Sequence, residues 1–181
     1  MAKKALLVID MQKGSFTPKT PRYDTAGVVS RMNKLAHLFN RKGLPVIYIQ
    51  HDGTRDNNFL PHTEAWELLD TLDVPGDAYR IDKYANDVFY KSKLKATLDS
   101  LNVDALVITG CATDFCVAAT IQSAIAKDYD ITVVANGHTT GDRPHLSAKQ
   151  VIRHYNWVWQ NMIPTKGEIK VKDFESIVAS L

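Results

Sequence analysis

A chain of 181 residues, 45% hydrophobic and 23% charged, can bury a substantial core and fits one globular α/β domain over residues 1–181. Its formal charge of +2 is small, and Lys and Arg are scattered among acidic residues, which excludes a nucleic-acid footprint and leaves a small molecule as the expected partner. No run approaches the roughly 20 apolar residues that cross a bilayer, so a soluble chain with no membrane partner is expected.

The opening Met1-Ala2-Lys3-Lys4 leads into an apolar run at 5–9 that is too short for a signal-peptide core and is stopped by Asp10. The run predicts a first strand, with cytoplasmic residence as the default. Val28, Met32, Leu35, Leu38 and Phe39 recur at helical spacing and predict a helix over 28–40, ending at Lys42-Gly43. A β-branched run at 45–50 predicts a second strand, followed by His51-Asp52. From 53 to 90, Pro61, Pro75 and Gly76 interrupt short helical pieces such as 63–69, and the segment reads as a long excursion over a site. Beyond it the pattern predicts a helix at 93–101, a strand at 105–109, and a helix at 117–127 that starts directly after Cys116. A strand at 131–135, a long helix at 145–159, a short strand at 169–171 and a final helix at 174–181 complete the order.

Strands alternating with helices predict a mainly parallel, doubly wound sheet covered on both faces, a three-layer α/β/α sandwich. Ligands in such sheets bind beyond the carboxyl ends of the strands. Asp10, His51 and the 110–116 segment each follow a strand and converge on that edge.

Cys111 and Cys116 are the only cysteines, and neither C-x-x-C spacing nor a Cys/His pair accompanies them, which disfavours a zinc knuckle. A local disulfide is a weak device in a cytosolic chain. A thiol at a helix start meets the positive end of the helix dipole, which favours thiolate, and the unpaired N–H groups there can receive an oxyanion. Free cysteines are also commonly small buried hydrophobes. Taken singly, Asp10 reads more readily as a turn cap and Lys83 as a solvated charge than as catalytic groups.

Gly110-Cys111-Ala112-Thr113-Asp114-Phe115-Cys116-Val117, following Val107-Ile108-Thr109, resembles the nucleophile signature of isochorismatase-like cysteine hydrolases. Leu7-Val8-Ile9-Asp10-Met11-Gln12 and Lys83-Tyr84-Ala85-Asn86-Asp87-Val88-Phe89-Tyr90 match two further motifs in the family's order, and the resemblance extends from 5 to about 159. It implies the family's α/β/α sandwich and a catalytic triad of Asp10, Lys83 and Cys116. It also implies a cis peptide between Cys111 and Ala112 and an oxyanion hole made by the Ala112 and Cys116 amides. The implied reaction is hydrolysis of a C–N bond in a small amide or ureido compound through a Cys116 thioester, with no cofactor. Relatives commonly form dimers or tetramers, so a homo-oligomer is implied.

His51, Asp52 and His62 invite a metal reading. The family's metal-dependent nicotinamidases carry an Asp-x-His pair after the second strand, from which Gln50-His51-Asp52 departs, so no metal is expected. Candidate substrate contacts are His51, an apolar wall of Phe16, Tyr84 and Phe89, and His138 on the rim. There, Asn136-Gly137 departs from the Asp-Ala often found in relatives. Trp157 and Trp159 read as core or as a subunit interface. Competing functions are a vinyl ether hydrolase that needs Asp10 but not Cys116, a non-catalytic binding protein on the same fold, and a peroxide sensor with Cys111 resolving Cys116.

Overall fold

A computed structural model describes residues 3–181; Met1 and Ala2, which open the leader reading, lie outside them. The strands are β1 (Lys4–Ile9), β2 (Val46–His51), β3 (Tyr79–Lys83), β4 (Ala105–Cys111), β5 (Asp130–Thr139) and β6 (Ile169–Lys172). The helices are α1 (Thr25–Arg41), α2 (Leu94–Ser100), α3 (Ala118–Ile125), α4 (Ala148–Gln160) and α5 (Phe174–Ser180). One sheet runs β3-β2-β1-β4-β5-β6 with every neighbouring pair parallel.

Alternating side chains of the central strands feed two separate cores. Ala5, Leu7 and Ile9 face α2, α3 and α4 together with Ile49 and Ile108. Leu6 and Val8 face α1 and α5 together with Tyr48 and Val107. Because both faces are covered, β1 has no polar side and reads as a continuous apolar run. The result is the expected three-layer sandwich. Among the described residues no helix is long and apolar enough to cross a membrane.

Helix α1 forms because Val28, Met32, Leu35, Ala36 and Phe39 line one buried face. It stops where Gly43 takes φ +65°, letting the Gly43 and Leu44 N–H groups bond back to Asn40 O and Phe39 O. That pattern closes the last turn and is open to glycine at little cost.

Three local expectations are corrected. The 53–90 excursion contains β3, an edge strand whose only inward side chains are Ile81 and Lys83, so no apolar run announces it. The expected helical piece at 63–69 is a chain of turns, with Trp66 N–H bonded to Thr63 O and Glu67 N–H to Glu64 O. Helix α4 starts at Ala148 instead of 145 because Ser147 and Gln150 form a reciprocal capping box, a Ser-x-x-Gln signal present in the sequence.

Strand β5 also runs past the expected 135 to Thr139. Its pairing with β4 shifts between Ile108 and Gly110, so the extra residues around Asn136-Gly137 bulge and bring His138 beside Gly110. Gly137 fits this bend since a side chain would press on Val134 at 2.6 Å.

The two tryptophans of α4 separate cleanly. Trp159 is 0% exposed, edge-on to the His138 ring at 5.2 Å and tilted against Tyr155 at 5.5 Å, whereas Trp157 is 64% exposed. Trp159→Ala is expected to cost about 3–5 kcal/mol in urea unfolding, while Trp157→Ala stays within about 0.5 kcal/mol. Similar losses at both positions would mean that α4 presents a different face to the core.

Candidate active site

The strand order reverses between β1 and β4, which opens a crevice at their carboxyl ends. A cleft of about 510 Å³ lies there, and Asp10, His51, Ala112 and Cys116 all line it. Lys83 sits at its base.

Asp10 is the residue immediately after β1. Its φ of +49° places it in the left-handed region, where a non-glycine residue is uncommon, and its N–H is fixed by Ile49 O at 3.0 Å. Only 6% of Asp10 is exposed. Its Oδ2 meets Lys83 Nζ at 2.8 Å, while its buried Oδ1 has no hydrogen-bond partner among the described residues.

Lys83 ends β3, pairs in register with His51 of β2, and is 0% exposed. Its ammonium also donates to Ala85 O at 2.9 Å and to Cys116 Sγ at 3.3 Å, and it lies 3.4 Å from His51 Nδ1. Burial alone would lower the lysine pKa, but the Asp10 carboxylate and the Cys116 sulfur outweigh it, and the net direction is up. Lys83 is therefore an ammonium at neutral pH. His51 moves the other way, lowered by burial and by the Lys83 charge, and stays neutral. With Nδ1 facing an ammonium, His51 carries its proton on Nε2.

Cys116 lies in a π turn, Thr113–Val117, that leads into α3, with Val117 N–H bonded to Ala112 O at 3.2 Å. The Cys111–Ala112 peptide is cis, as the resemblance implied. The Ala112 N–H donates to no backbone carbonyl among the described residues. At Cys116, burial and the Asp10 charge push the thiol up and Lys83 partly opposes them, a direction contrary to the lowering that a helix start favours. Cys111 is buried too, with its thiol raised by burial to about 12.

Four expected substrate contacts lie elsewhere. Phe16 packs against the apolar layer beneath α1. Tyr84 is 52% exposed and lines a different hollow, beside Lys91 and Ser92. Phe89 is core, stacked on Tyr129 at 5.8 Å. His138 is buried behind the π turn, where Nδ1 meets Thr113 Oγ1 at 2.8 Å and Nε2 meets Asn156 Oδ1 at 2.9 Å. Asn156 Nδ2 donates to Ala135 O, which fixes the amide so that its oxygen accepts from Nε2–H and leaves Nδ1 to accept from Thr113. Burial holds His138 down at about 4, and it braces the turn as a neutral ring.

Other cleft residues escaped the sequence reading. Gln12 is fully buried and ties the His51 backbone on both sides, at 2.7 and 3.1 Å, while also donating to Trp66 O at 2.8 Å. Gln50 reaches the same carbonyl at 3.0 Å. Asn86 lies within 3.6 Å of Cys116 Sγ. Gln12 and Asn86 stood inside quoted motifs, so their position was the available signal. Arg22, Asn58 and Phe59 come from loops without periodicity.

Comparison with known proteins places these features in context. The isochorismatase domain model matches residues 4–162. The chain is 29% identical over 141 residues to streptothricin hydrolase of Streptomyces noursei, covering 78% of this chain and 51% of that protein. It is also 29% identical over 133 residues to N-carbamoylsarcosine amidase of an Arthrobacter species, covering 64% and 48%. It thus spans about half the length of these two curated relatives. A crystal structure described as an isochorismatase family protein superposes with a TM-score of 0.86 at 28% identity, over 93% of this chain and 97% of that one. With a family match running from β1 to the end of α4 and the same fold in that solved relative, the chain belongs to the isochorismatase family.

Proposed function

We propose that the protein is a cysteine-dependent hydrolase that cleaves the C–N bond of a small amide or ureido compound. The observation that carries this reading is the contact of the buried Lys83 with both Asp10 and Cys116, which line one cleft, with Asp10 Oδ1 unpartnered among the described residues. The amidase named among the relatives agrees with C–N chemistry.

In this reading Asp10 Oδ1 takes the Cys116 proton as the sulfur attacks the substrate carbonyl, and Lys83 steadies the negative charge that develops. The Ala112 and Cys116 amides receive the tetrahedral oxyanion. Collapse breaks the C–N bond, and Asp10 returns its proton to the leaving nitrogen. Water then attacks the thioester, Asp10 accepts its proton, and the acid departs as the thiol is restored. His51 Nε2–H supplies a neutral donor facing the substrate. A resting thiol beside a carboxylate suits this scheme, because the nucleophile is made only when a carbonyl is present to accept it.

Cys116→Ala is expected to abolish ammonia release from a panel of small amides and ureido acids. Ammonia release retained by Cys116→Ala would overturn the thiol-dependent reading.

Asp10→Asn separates base from nucleophile. Because the Asp10 charge is one of the causes holding the thiol up, its removal is expected to raise the rate of Cys116 alkylation by iodoacetamide at neutral pH by about tenfold or more. The same variant should lower amide turnover by about 10²–10⁴. Slower alkylation would contradict the charge assignment.

The raised thiol also fixes the pH dependence in the absence of substrate. Wild-type alkylation should climb continuously from neutral to alkaline pH, since the thiolate fraction grows as pH approaches the raised pKa. A plateau already reached at neutral pH would show a resting thiolate instead.

A further inference from the structure

Beside the Asp10 carboxylate, the wall of the cleft carries one more fixed charge, Arg22. Its Nε donates to Ser15 O at 2.8 Å, which turns the guanidinium and holds it from one edge. Its two terminal nitrogens meet no acceptor among the described residues, and Arg22 forms no ion pair there.

The neighbourhood explains why no protein carboxylate answers it. Gly141 separates two guanidinium groups: a Cβ there would lie 3.0 Å from Arg22 Nη1 and 3.9 Å from Arg143 Nη1. Arg143 is committed to Asp114, with Nε on Oδ2 at 2.6 Å and Nη2 on Oδ1 at 2.8 Å, and it stacks over the Phe115 ring at 5.0 Å. Of the two neighbouring arginines, Arg143 is therefore matched by a carboxylate and Arg22, which lines the cleft, is not matched by one among the described residues. Across the cleft, Asp10 is neutralised by Lys83. His51, Gln12, Asn58 and Asn86 offer polarity without charge. A guanidinium whose terminal N–H pair is free matches the two oxygens of a carboxylate, giving short, charge-assisted, bidentate bonds.

We propose that Arg22 anchors a carboxylate on the substrate, so that the compound hydrolysed is an amide or ureido acid whose anionic group meets the Arg22 guanidinium on the cleft wall. The reaction in this statement rests on the hydrolase reading above; the binding of the acid does not. The small residue at Gly141 and the Ser15 carbonyl serve the same end by letting the arginine approach and by fixing its orientation.

The test uses full-length Cys116→Ala protein, in which binding is separated from turnover. Malonamate, succinamate and glutaramate are titrated by NMR beside propanamide, butanamide and pentanamide, their uncharged counterparts of equal length. At least one acid should bind about tenfold or more tightly than its counterpart, and Arg22→Gln should remove that advantage while leaving the neutral amides within about twofold. Arg22→Lys, which keeps the charge but not the fork, should retain part of the preference. The proposal is overturned if no acid binds better than its neutral partner. It is equally overturned if both Arg22 variants weaken all six compounds alike, which would make Arg22 only a support for the Ser15 loop. Ammonia release by the wild-type protein is read separately: acids that bind through Arg22 yet are not hydrolysed would sink the hydrolase reading and leave the carboxylate anchor standing.

Discussion

Lys83 ends an edge strand with no exposed surface, and an ammonium so placed persists only because Asp10 meets it at 2.8 Å and Ala85 O accepts a further hydrogen bond. This ion pair joins the end of β3 to the end of β1 across the intervening β2. Removing either partner would strand a buried charge, a loss of about 3–5 kcal/mol in comparable settings. The pair also sets the electrostatics of its neighbours. Its lysine adds to burial in lowering His51, its carboxylate keeps Oδ1 free of a hydrogen-bond partner among the described residues, and Cys116 lies between a cation that favours thiolate and an anion that opposes it.

The turn that carries Cys116 is braced by groups that carry no charge. His138, held neutral by burial, takes a hydrogen bond from Thr113 and gives one to Asn156 of α4, so the π turn around Cys116 is tied to a helix whose Trp159 is locked in the core. The bulge at Asn136-Gly137 makes this possible by carrying His138 up to the level of Gly110. On the near side, Gln12 and Gln50 both reach the Trp66 carbonyl and fasten the 53–90 excursion to the mouth of the cleft. Polar residues thus hold both walls, and the apolar layers beneath hold the strands that carry them.

How much of this was legible in the sequence depends on where the signal resides. Central strands buried on both faces announce themselves as apolar runs, and 5–9, 45–50 and 105–109 marked β1, β2 and β4 nearly to the residue. Edge strand β3 carries one apolar inward residue and one buried lysine, which leaves no pattern to read, and Lys83 was reachable only through the motif it opens. The π turn, the bulge of β5 and the positive φ of Asp10 are tertiary compromises that residue types do not encode locally. Aromatic residues near the motifs invited assignment to the site, yet Phe16 and Phe89 satisfy the cores and Tyr84 faces solvent. Several polar side chains that line the cleft, such as Arg22 and Asn58, come from aperiodic loops, where composition says little about direction.

The strand order has a consequence for how the chain comes to life. β1 precedes the other described strands in the chain, yet it lies in the middle of the sheet, flanked by β2 and β4, whose residues are separated from it by long crossovers. Such non-local pairing forms slowly and late. A nascent chain that has completed β3 already holds both members of the ion pair, and Cys116 joins them only when β4 docks against β1 and its turn closes. The three side chains therefore meet only as the centre of the sheet is completed.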